Sequence, residues 1–573
     1  MKENTEMSKR KGFIKLAIGA FFVTFALGAF AACTEPMTGV SVSTETTDVV
    51  YGQAVRFDVS GSVEDIQNGY TITCSKDYEV TVEDKDTLTI TPKQEGRLEF
   101  YFNFKGASYT YRSNVVVLHV TREEKTISTP QELFDAQDSN LRYVMTQDID
   151  MSSVGNFTPS AFNAALDGNG FAIRNFFYLP LEVATGKNIG FFSENNGLIE
   201  NVKFSNVSLG LFSEAASAGI VAGVNNGTIR NVTVEGAIEA EQTAQVGGIV
   251  GLNQGVVDSC ENRATVVGKT YVGGLVGSSV SAINSSVNKG EVEGLDHAGG
   301  IVGTITAASS VQGNSNEGSI TGGAYVGGII GSTGDSVTVN VNSCENLGQV
   351  NGASYVGGII GAGKAAVLFD CLNDGVVSAS GSYAGGIGGS IQSARRCENH
   401  GEVNAEGKDL EATSGYYNVY VGGIAGYLTR IEECKNTRTI SLEKAYGAYV
   451  GGLAGYLDGD NTSDVMNDNV NEGAVHTAST SQYVGGIVGY MKNATLRGAV
   501  NSGAVTGANY ASGIAGYAES GAVYFCVNSG PIVGNNGYTQ QICSWHTENV
   551  EIYGNEENGT TSIRMAVRED ENV

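Results

Sequence analysis

Four tyrosines occupy the same place in successive copies of a repeated phrase, and a regular row of aromatic rings can hold the faces of sugars or the side chains of a protein. They are Tyr427, Tyr456, Tyr490 and Tyr517. The longest insertions between copies, 406–417 and 458–469, lie in the same part of the chain, and loops on a rigid scaffold often carry binding residues. Two interpretations stay open: a strip that contacts a glycan or a protein, and stacked rings that only stabilise the fold.

Carboxylates are the second group that could do chemistry, because polysaccharide lyases and hydrolases gather carboxylates with Arg or Lys on one face. Here Arg395 and Arg396 are adjacent, and on a strand only one of them could point outward. The segment "DGDNTSD" (458–464) lacks the spacing and closing Glu of a calcium loop, which favours an acidic surface turn. The acidic residues beside a repeated Asn change position from copy to copy: Glu261, Glu317, Glu345, Asp374, Glu398 and Glu472. We therefore predict no catalytic residue, no metal site and no cofactor.

Six cysteines stand two residues before that repeated Asn: Cys260, Cys344, Cys371, Cys397, Cys434 and Cys526. A metal site is one interpretation, but the chain has no C-x-x-C and no His at ligand spacing. Disulfides between neighbours are another, yet stacked parallel strands aim their Cβ atoms alike, which suits a bridge poorly. We predict buried, reduced thiols.

The first 33 residues have the form of an export signal. Lys9, Arg10 and Lys11 precede an apolar run that ends in small residues. The run closes on "FAAC", which resembles a bacterial lipobox with Phe30 in place of the usual Leu, so we predict a lipid on Cys33. Cleavage after Ala31 without a lipid and an uncleaved anchor are the alternatives. The predicted location is the cell surface or outer face of a bacterial membrane.

The net charge of -27 disfavours nucleic acid and anionic lipid head groups as partners. We therefore expect the chain to contact a membrane only through its N-terminal lipid.

A Gly-Gly pair recurs every 26 to 37 residues, and this period is typical of a parallel β-helix in which each coil pairs with the next. The first glycines are Gly247, Gly273, Gly299, Gly327, Gly357, Gly385, Gly422, Gly451 and Gly485. We interpret the pair as a corner that other residues would strain. With degenerate copies included, the pattern predicts about twelve coils.

A recurring Asn in the second half of each copy predicts an asparagine ladder, in which each side-chain amide bonds to the next. Its members are Asn262, Asn288, Asn316, Asn346, Asn373, Asn399, Asn436, Asn471, Asn501 and Asn528.

Two segments precede the repeats. Residues 34–123 show short alternating strands and predict a small β-sandwich. Residues 125–180 open with "TPQE", the form of a capping box, and predict a capping helix and the first coil. Residues 181–573 then form the repeat β-helix with a C-terminal cap. The predicted fold is all-β throughout.

The phrases "GG[IL][VA]G" and "xCxNxGxV" together resemble the GLUG repeat of bacterial surface proteins, and 34–123 resembles bacterial immunoglobulin-like modules, which act as spacers. The GLUG resemblance implies an adhesion-type protein. Its other members include the non-proteolytic part of immunoglobulin-A-cleaving metallopeptidases, and H-E-x-x-H is absent here, so peptidase activity does not carry over. We predict a non-catalytic binder of glycans or of proteins on a host or neighbouring cell. A purely structural spacer is the second interpretation, and a polysaccharide lyase or hydrolase is the third.

Overall fold

The structure, a computed structural model, describes residues 37–76, 78–155, 157–180, 182–183, 186–407, 419–443, 447–460, 465–478, 483–507, 509–534, 539–557 and 560–562. The chain divides into two compact units, Met1–Thr121 and Arg122–Val573. Among the described residues the helices are Ile66–Gly69 and Pro130–Phe134, and the regular structure is otherwise β-strand. The all-β prediction is confirmed.

The first unit contains two sheets around one buried core. In sheet order the described strands of the larger sheet are Thr71–Cys74, Phe102–Lys105, Thr110–Ser113, Met37–Ser43, Val55–Gly61, Thr87–Ile90 and Thr81–Asp84. Those of the smaller sheet are Asp48–Val50, Val116–Thr121 and Gly96–Phe100. Phe57, Phe100 and Phe102 meet edge to face in the core, with ring centroids 5.4 to 6.1 Å apart. The immunoglobulin-like topology of this unit stays a prediction.

The second unit begins with a capped end. Strand Glu123–Ile127 pairs in parallel with Leu141–Met145, and the helix Pro130–Phe134 lies between them in the chain. The Glu132 amide donates to Thr129 Oγ1 at 3.3 Å and the Thr129 amide donates to Glu132 Oε2 at 3.1 Å, which is a reciprocal capping box. Phe134 stacks on Phe191 with ring centroids 6.2 Å apart, so aromatic residues close this end of the core.

The rest of the unit is a parallel β-solenoid of about 13 turns. In one coil, strand Ser354–Gly357 belongs to a 12-stranded sheet and Ile360–Phe369 to a 24-stranded sheet, counted over the described residues. Leu372–Asn373 and Val377–Ala379 belong to a 27-stranded sheet. Each strand pairs in parallel with its counterpart one coil on, as Gly327 does with Gly357 and Gly357 with Gly385. The prediction of about twelve coils is confirmed.

The strands that carry the candidate site belong to two of these sheets. The 12-stranded sheet consists of Asn188–Ile189, Ser217–Gly219, Gln245–Gly247, Tyr271–Gly273, Ala298–Gly299, Ala324–Gly327, Ser354–Gly357, Tyr383–Gly385, Val419–Gly422, Ala448–Gly451, Tyr483–Gly485 and Tyr510–Ser512. The late strands of the 24-stranded sheet are Ala425–Leu428, Arg430–Glu432, Ala454–Asp458, Val488–Lys492, Ala515–Ala518 and Cys543–His546. At the C-terminal end, Asn555–Glu557 pairs in antiparallel fashion with Thr560–Ser562.

The asparagine ladder is confirmed. From Asn262 to Asn528 each side-chain amide donates to the next side-chain oxygen at 2.7 or 2.8 Å. Each amide also donates to a carbonyl of its own corner, as Asn346 does to Gly348 O at 2.8 Å. A second, unpredicted ladder runs from Asn195 through Asn225 to Asn253 with bonds of 2.8 Å. Both ladders pair buried corner groups that would otherwise have no partner.

The Gly-Gly pair is required for a different reason from the one predicted. Neither Gly327 nor Gly328 has a left-handed φ, so no backbone strain demands glycine there. A Cβ on Gly327 would lie 2.0 Å from Ile330 O, and a Cβ on Gly328 would lie 2.1 Å from Gly358 O in the next coil. Space, not backbone conformation, excludes a side chain.

Left-handed residues do occur at another corner, just before the cysteine position. Their φ values lie between 49° and 54°: Asn201, Asn231, Ser259, Ser285, Ser343, Asp370, Arg396, Glu433, Asp468 and Phe525. This corner explains why Arg395 and Arg396 are both exposed, since Arg396 leaves the alternation of the strand. The prediction that only one of them could point outward was wrong.

Candidate binding surface

The four predicted tyrosines form a column on the 24-stranded sheet. Tyr427, Tyr456, Tyr490 and Tyr517 pair in register on consecutive coils, and Trp545 follows in the same position. The ring centroids are 5.6, 4.7 and 4.9 Å apart, with interplanar angles of 19°, 8° and 28°. All four tyrosines are partly buried. Their stacking is therefore a property of the fold, whatever they bind.

A longer aromatic column lies beside it on the 12-stranded sheet, and the sequence interpretation missed it as an aromatic feature. It consists of Tyr271, His297, Tyr325, Tyr355, Tyr383, Tyr420, Tyr449, Tyr483 and Tyr510. Centroids of successive rings are 4.4 to 5.7 Å apart. The signal was visible, because most of these tyrosines open the repeated "YVGG" phrase. The two columns together are called the tyrosine strip below.

The two columns pack edge to face in the late coils. Tyr449 meets Tyr456 at 87° and Tyr490 at 82°. Coils lie about 4.8 Å apart, whereas ring atoms in contact need about 3.5 to 4.0 Å, so rings in one column tilt by about 40° to touch. Because stacked rings cover each other's faces, ring edges and hydroxyls are the parts left open within each column.

In the earlier coils small residues occupy the positions that tyrosines fill later: Ser278, Thr304, Ser332, Ala362 and Ser390. Ser332 is only 4% exposed. Its Oγ lies 2.6 Å from His297 Nδ1, so a ring of the longer column, on the 12-stranded sheet, covers this position. Burial lowers the pKa of His297. The strip is thus one ring wide in the early coils and two rings wide from Tyr427 onward.

Three charged residues on consecutive coils border the column that runs from Tyr427 to Tyr517. They are called the polar row: Asp458, Lys492 and Glu519. Asp458 is in register with Lys492, whose Nζ lies 3.2 Å from Glu519 Oε1. The Tyr490 hydroxyl donates to Glu519 Oε2, and burial together with the nearby Asp458 carboxylate raises the pKa of Tyr427. Ring hydroxyls and charged groups therefore form one connected polar edge.

The two carboxyl groups at this edge, Asp458 and Glu519, have pKa values shifted in opposite directions. Burial raises the pKa of Asp458, although the charge of Lys492 opposes the shift. The hydrogen bond from Tyr490 lowers the pKa of Glu519, and Lys492 adds to this effect. Burial raises the pKa of Tyr483 to about 12 and that of Tyr490 as well. The phenols are therefore neutral near pH 7 and both donate and accept hydrogen bonds.

Most of the other charged candidates are engaged in ion pairs. Arg396 Nε lies 2.8 Å from Asp370 Oδ1, and its guanidinium lies 3.9 Å from the centre of the Phe369 ring. Lys435 Nζ lies 2.8 Å from Glu472 Oε1 on the 27-stranded sheet. Exposed pairs of this kind are typical of a solvated face. The described part of the chain contains no group of three or more His, Cys, Asp or Glu placed to hold a metal ion.

The six predicted cysteines are all free and buried, as expected. Cys543, another free and buried thiol, begins the last strand of the 24-stranded sheet. Burial raises the pKa of Cys260 and of Cys344 to about 12, which keeps these thiols protonated and unreactive. Cys33, the predicted lipid attachment site, lies outside the described residues. Among the residues that are described, no helix is long and apolar enough to cross a membrane.

These features define the class of the protein: a parallel β-solenoid whose lateral surface carries a stacked aromatic strip. No family model matches the chain. Part of the chain is similar to Halomucin of Haloquadratum walsbyi (strain DSM 16790 / HBSQ001), with 34% identity over 124 residues. The match covers 19% of this chain and 1% of the length of Halomucin.

Proposed function

We propose that this is an exported, non-catalytic surface protein whose tyrosine strip contacts a glycan or a protein on a host or neighbouring cell. The observation that carries the proposal is the exposure of the strip. The ladder asparagines, which only hold the fold, are fully buried, whereas the stacked tyrosines are partly open to solvent over many coils. Aromatic and amphipathic tyrosine surfaces are characteristic of interaction sites.

The remaining features of the proposal concern attachment and family. We propose that the chain belongs with GLUG-repeat surface proteins, that 34–123 is an immunoglobulin-like spacer, and that a lipid on Cys33 holds the protein at the outer face of the membrane. The partial similarity to Halomucin supports a surface role. Metabolic labelling with a fatty acid should label the wild type and not the C33A variant. A wild type that takes up no label would contradict the lipid anchor.

Polysaccharide cleavage, the third interpretation of the sequence, is favoured by one observation. Asp458 and Glu519 stand two coils apart on the same edge, and their pKa values are shifted in opposite directions. Two coils correspond to about 9.6 Å between backbones, within reach of the separations of about 6.5 to 9.5 Å between the carboxyl groups of inverting glycosidases. Release of reducing ends from a polysaccharide, abolished by D458N, would establish this function instead.

The binding proposal is tested on glycan and matrix-protein arrays with the wild-type chain and a variant in which Tyr427, Tyr456, Tyr490 and Tyr517 become Ser. Serine is chosen because it occupies the same position at Ser278, Ser332 and Ser390 in earlier coils. The control is Tyr524→Ser, a tyrosine outside the strip whose ring contacts that of Tyr553, with centroids 4.1 Å apart and planes tilted by 37°.

Binding that the control retains and the folded four-site variant loses would establish the strip as the contact surface. Binding that survives in the four-site variant, or no binding by the wild type, would leave the structural spacer as the better interpretation.

A further inference from the structure

We propose that the partner of the tyrosine strip is a neutral polysaccharide that lies along the solenoid axis, with its hydroxyls held by the polar row of Asp458, Lys492 and Glu519. This inference rests on the proposed function of the strip and names its ligand class.

The polar row offers alternating hydrogen-bonding groups in the direction of the axis. Asp458 is an acceptor when ionised, Lys492 is a donor, and Glu519 is an acceptor again. The side chains of Lys492 and Glu519 are both 36% exposed, so each retains hydrogen-bonding capacity toward solvent after forming the 3.2 Å pair. Sugar hydroxyls both donate and accept, and therefore satisfy either type of group.

The spacing of the row suits a polymer better than a small molecule. Coils repeat at about 4.8 Å, so equivalent groups recur at that interval along the strip. The pyranose units of an extended glycan repeat at a similar interval. A chain aligned with the axis would meet one rung of the strip with each sugar unit.

The covering of the ring faces also favours a polymer over a small ligand. A single exposed ring binds one sugar by stacking on its face, but here neighbouring rings such as Tyr456 and Tyr490 occupy each other's faces at 4.7 Å. Ring edges and phenol hydroxyls are left for the ligand. Each contact is weak, so we expect affinity to accumulate with the number of sugar units.

Charge decides among the classes of polysaccharide. The polar row contains two carboxylates and one ammonium group, and the whole chain carries a net charge of -27. A uronate or sulfated polymer would be repelled, most strongly at low ionic strength. A neutral polymer loses nothing by approaching this surface.

The test is affinity electrophoresis of the full chain in gels that contain hydroxyethyl cellulose, mixed-linkage β-glucan or polygalacturonate. Titration calorimetry with β-linked glucose oligomers of increasing length accompanies it. The test variant is K492M/E519Q. The control is K435M/E472Q, which removes a lysine–glutamate pair of similar geometry, 2.8 Å apart and 36% and 46% exposed, on another sheet.

We expect a neutral polymer to retard the wild type and the control, with binding at least about tenfold weaker in the test variant because it loses hydrogen bonds to charged groups. We expect no retardation by polygalacturonate and affinity that rises with oligomer length.

Equal retardation of the test and control variants would overturn the inference, and so would preferential binding of polygalacturonate. A wild type that no neutral polymer retards, but that binds an array protein through the four tyrosines, would overturn this inference and leave the proposed function intact. A wild type that binds neither a neutral polymer nor any array ligand would contradict both this inference and the proposed function.

Discussion

At the scale of single residues, the asparagine ladder and the Gly-Gly pair form one packing unit. A Cβ on Gly328 would lie 2.4 Å from Asn346 Cγ in its own coil and 2.1 Å from the next backbone. The ladder amide thus occupies the space that the missing side chain leaves. This explains why the two features recur together in nearly every copy.

Gly328→Ala should lower the free energy of unfolding by about 3 kcal/mol, because the added methyl group must displace backbone or a ladder amide. Urea denaturation followed by circular dichroism measures the change. Gly155→Ala is the control, since a Cβ there meets nothing within 4 Å. Equal stability of the two variants would contradict the packing explanation.

Glu433→Gly should raise the free energy of unfolding by about 1 kcal/mol, because Glu433 holds a left-handed φ of 54° that glycine adopts without strain. The ion pair that it loses with Arg395 is exposed and contributes little. Glu432→Gly, at the end of the preceding strand, should lower stability. Destabilisation by both changes would refute the strain at this corner.

At the scale of elements, the tyrosine strip joins two sheets. Rings of the 12-stranded sheet lie against rings of the 24-stranded sheet, so the corner between them is packed on its outer side as well as in the core. Tyr456 shows this best, since it contacts rings from both columns.

Tyr456→Ala should cost about 2 to 4 kcal/mol of stability, because it leaves several rings without a neighbour. Tyr271→Ala should cost less, since Tyr271 contacts one ring, His297, at the end of its column, and the two ring planes are tilted by 45°. Thermal unfolding of the two variants checks which of them loses more stability. A larger effect at Tyr271 would show that stacking along the strip adds little.

At the scale of the whole molecule, two separate hydrophobic cores support the two compact units. The solenoid core is continuous through all its coils, because each coil buries its apolar face against the next.

Calorimetry should therefore resolve two unfolding transitions. Leu118→Ala, in the core of the first unit, should lower one of them, and Ile359→Ala, in the solenoid, should lower the other. Each loss should be about 3 kcal/mol, as for other large-to-small core changes. A shift of both transitions by either variant would mean that the units unfold together.

Sequence alone determined the solenoid, its number of coils and its buried ladder, because these depend on a period along the chain. Residues such as Asn346 and Gly327 recur at one position per coil, and coil stacking turns that recurrence directly into contact. The same reasoning located the column from Tyr427 to Tyr517.

Only the tertiary structure decided which residues of different sheets are neighbours around a coil. Tyr449 and Tyr456 are seven residues apart in the chain and belong to different sheets, and their perpendicular contact depends on the angle of a corner that no periodicity encodes. The polar row of Asp458, Lys492 and Glu519 is aligned by the period, since each residue stands two places after a repeated tyrosine, but only the structure shows that Lys492 Nζ lies 3.2 Å from Glu519 Oε1. Repetition reveals which residues share a line along the solenoid, whereas contacts between different lines are set by the turns between strands.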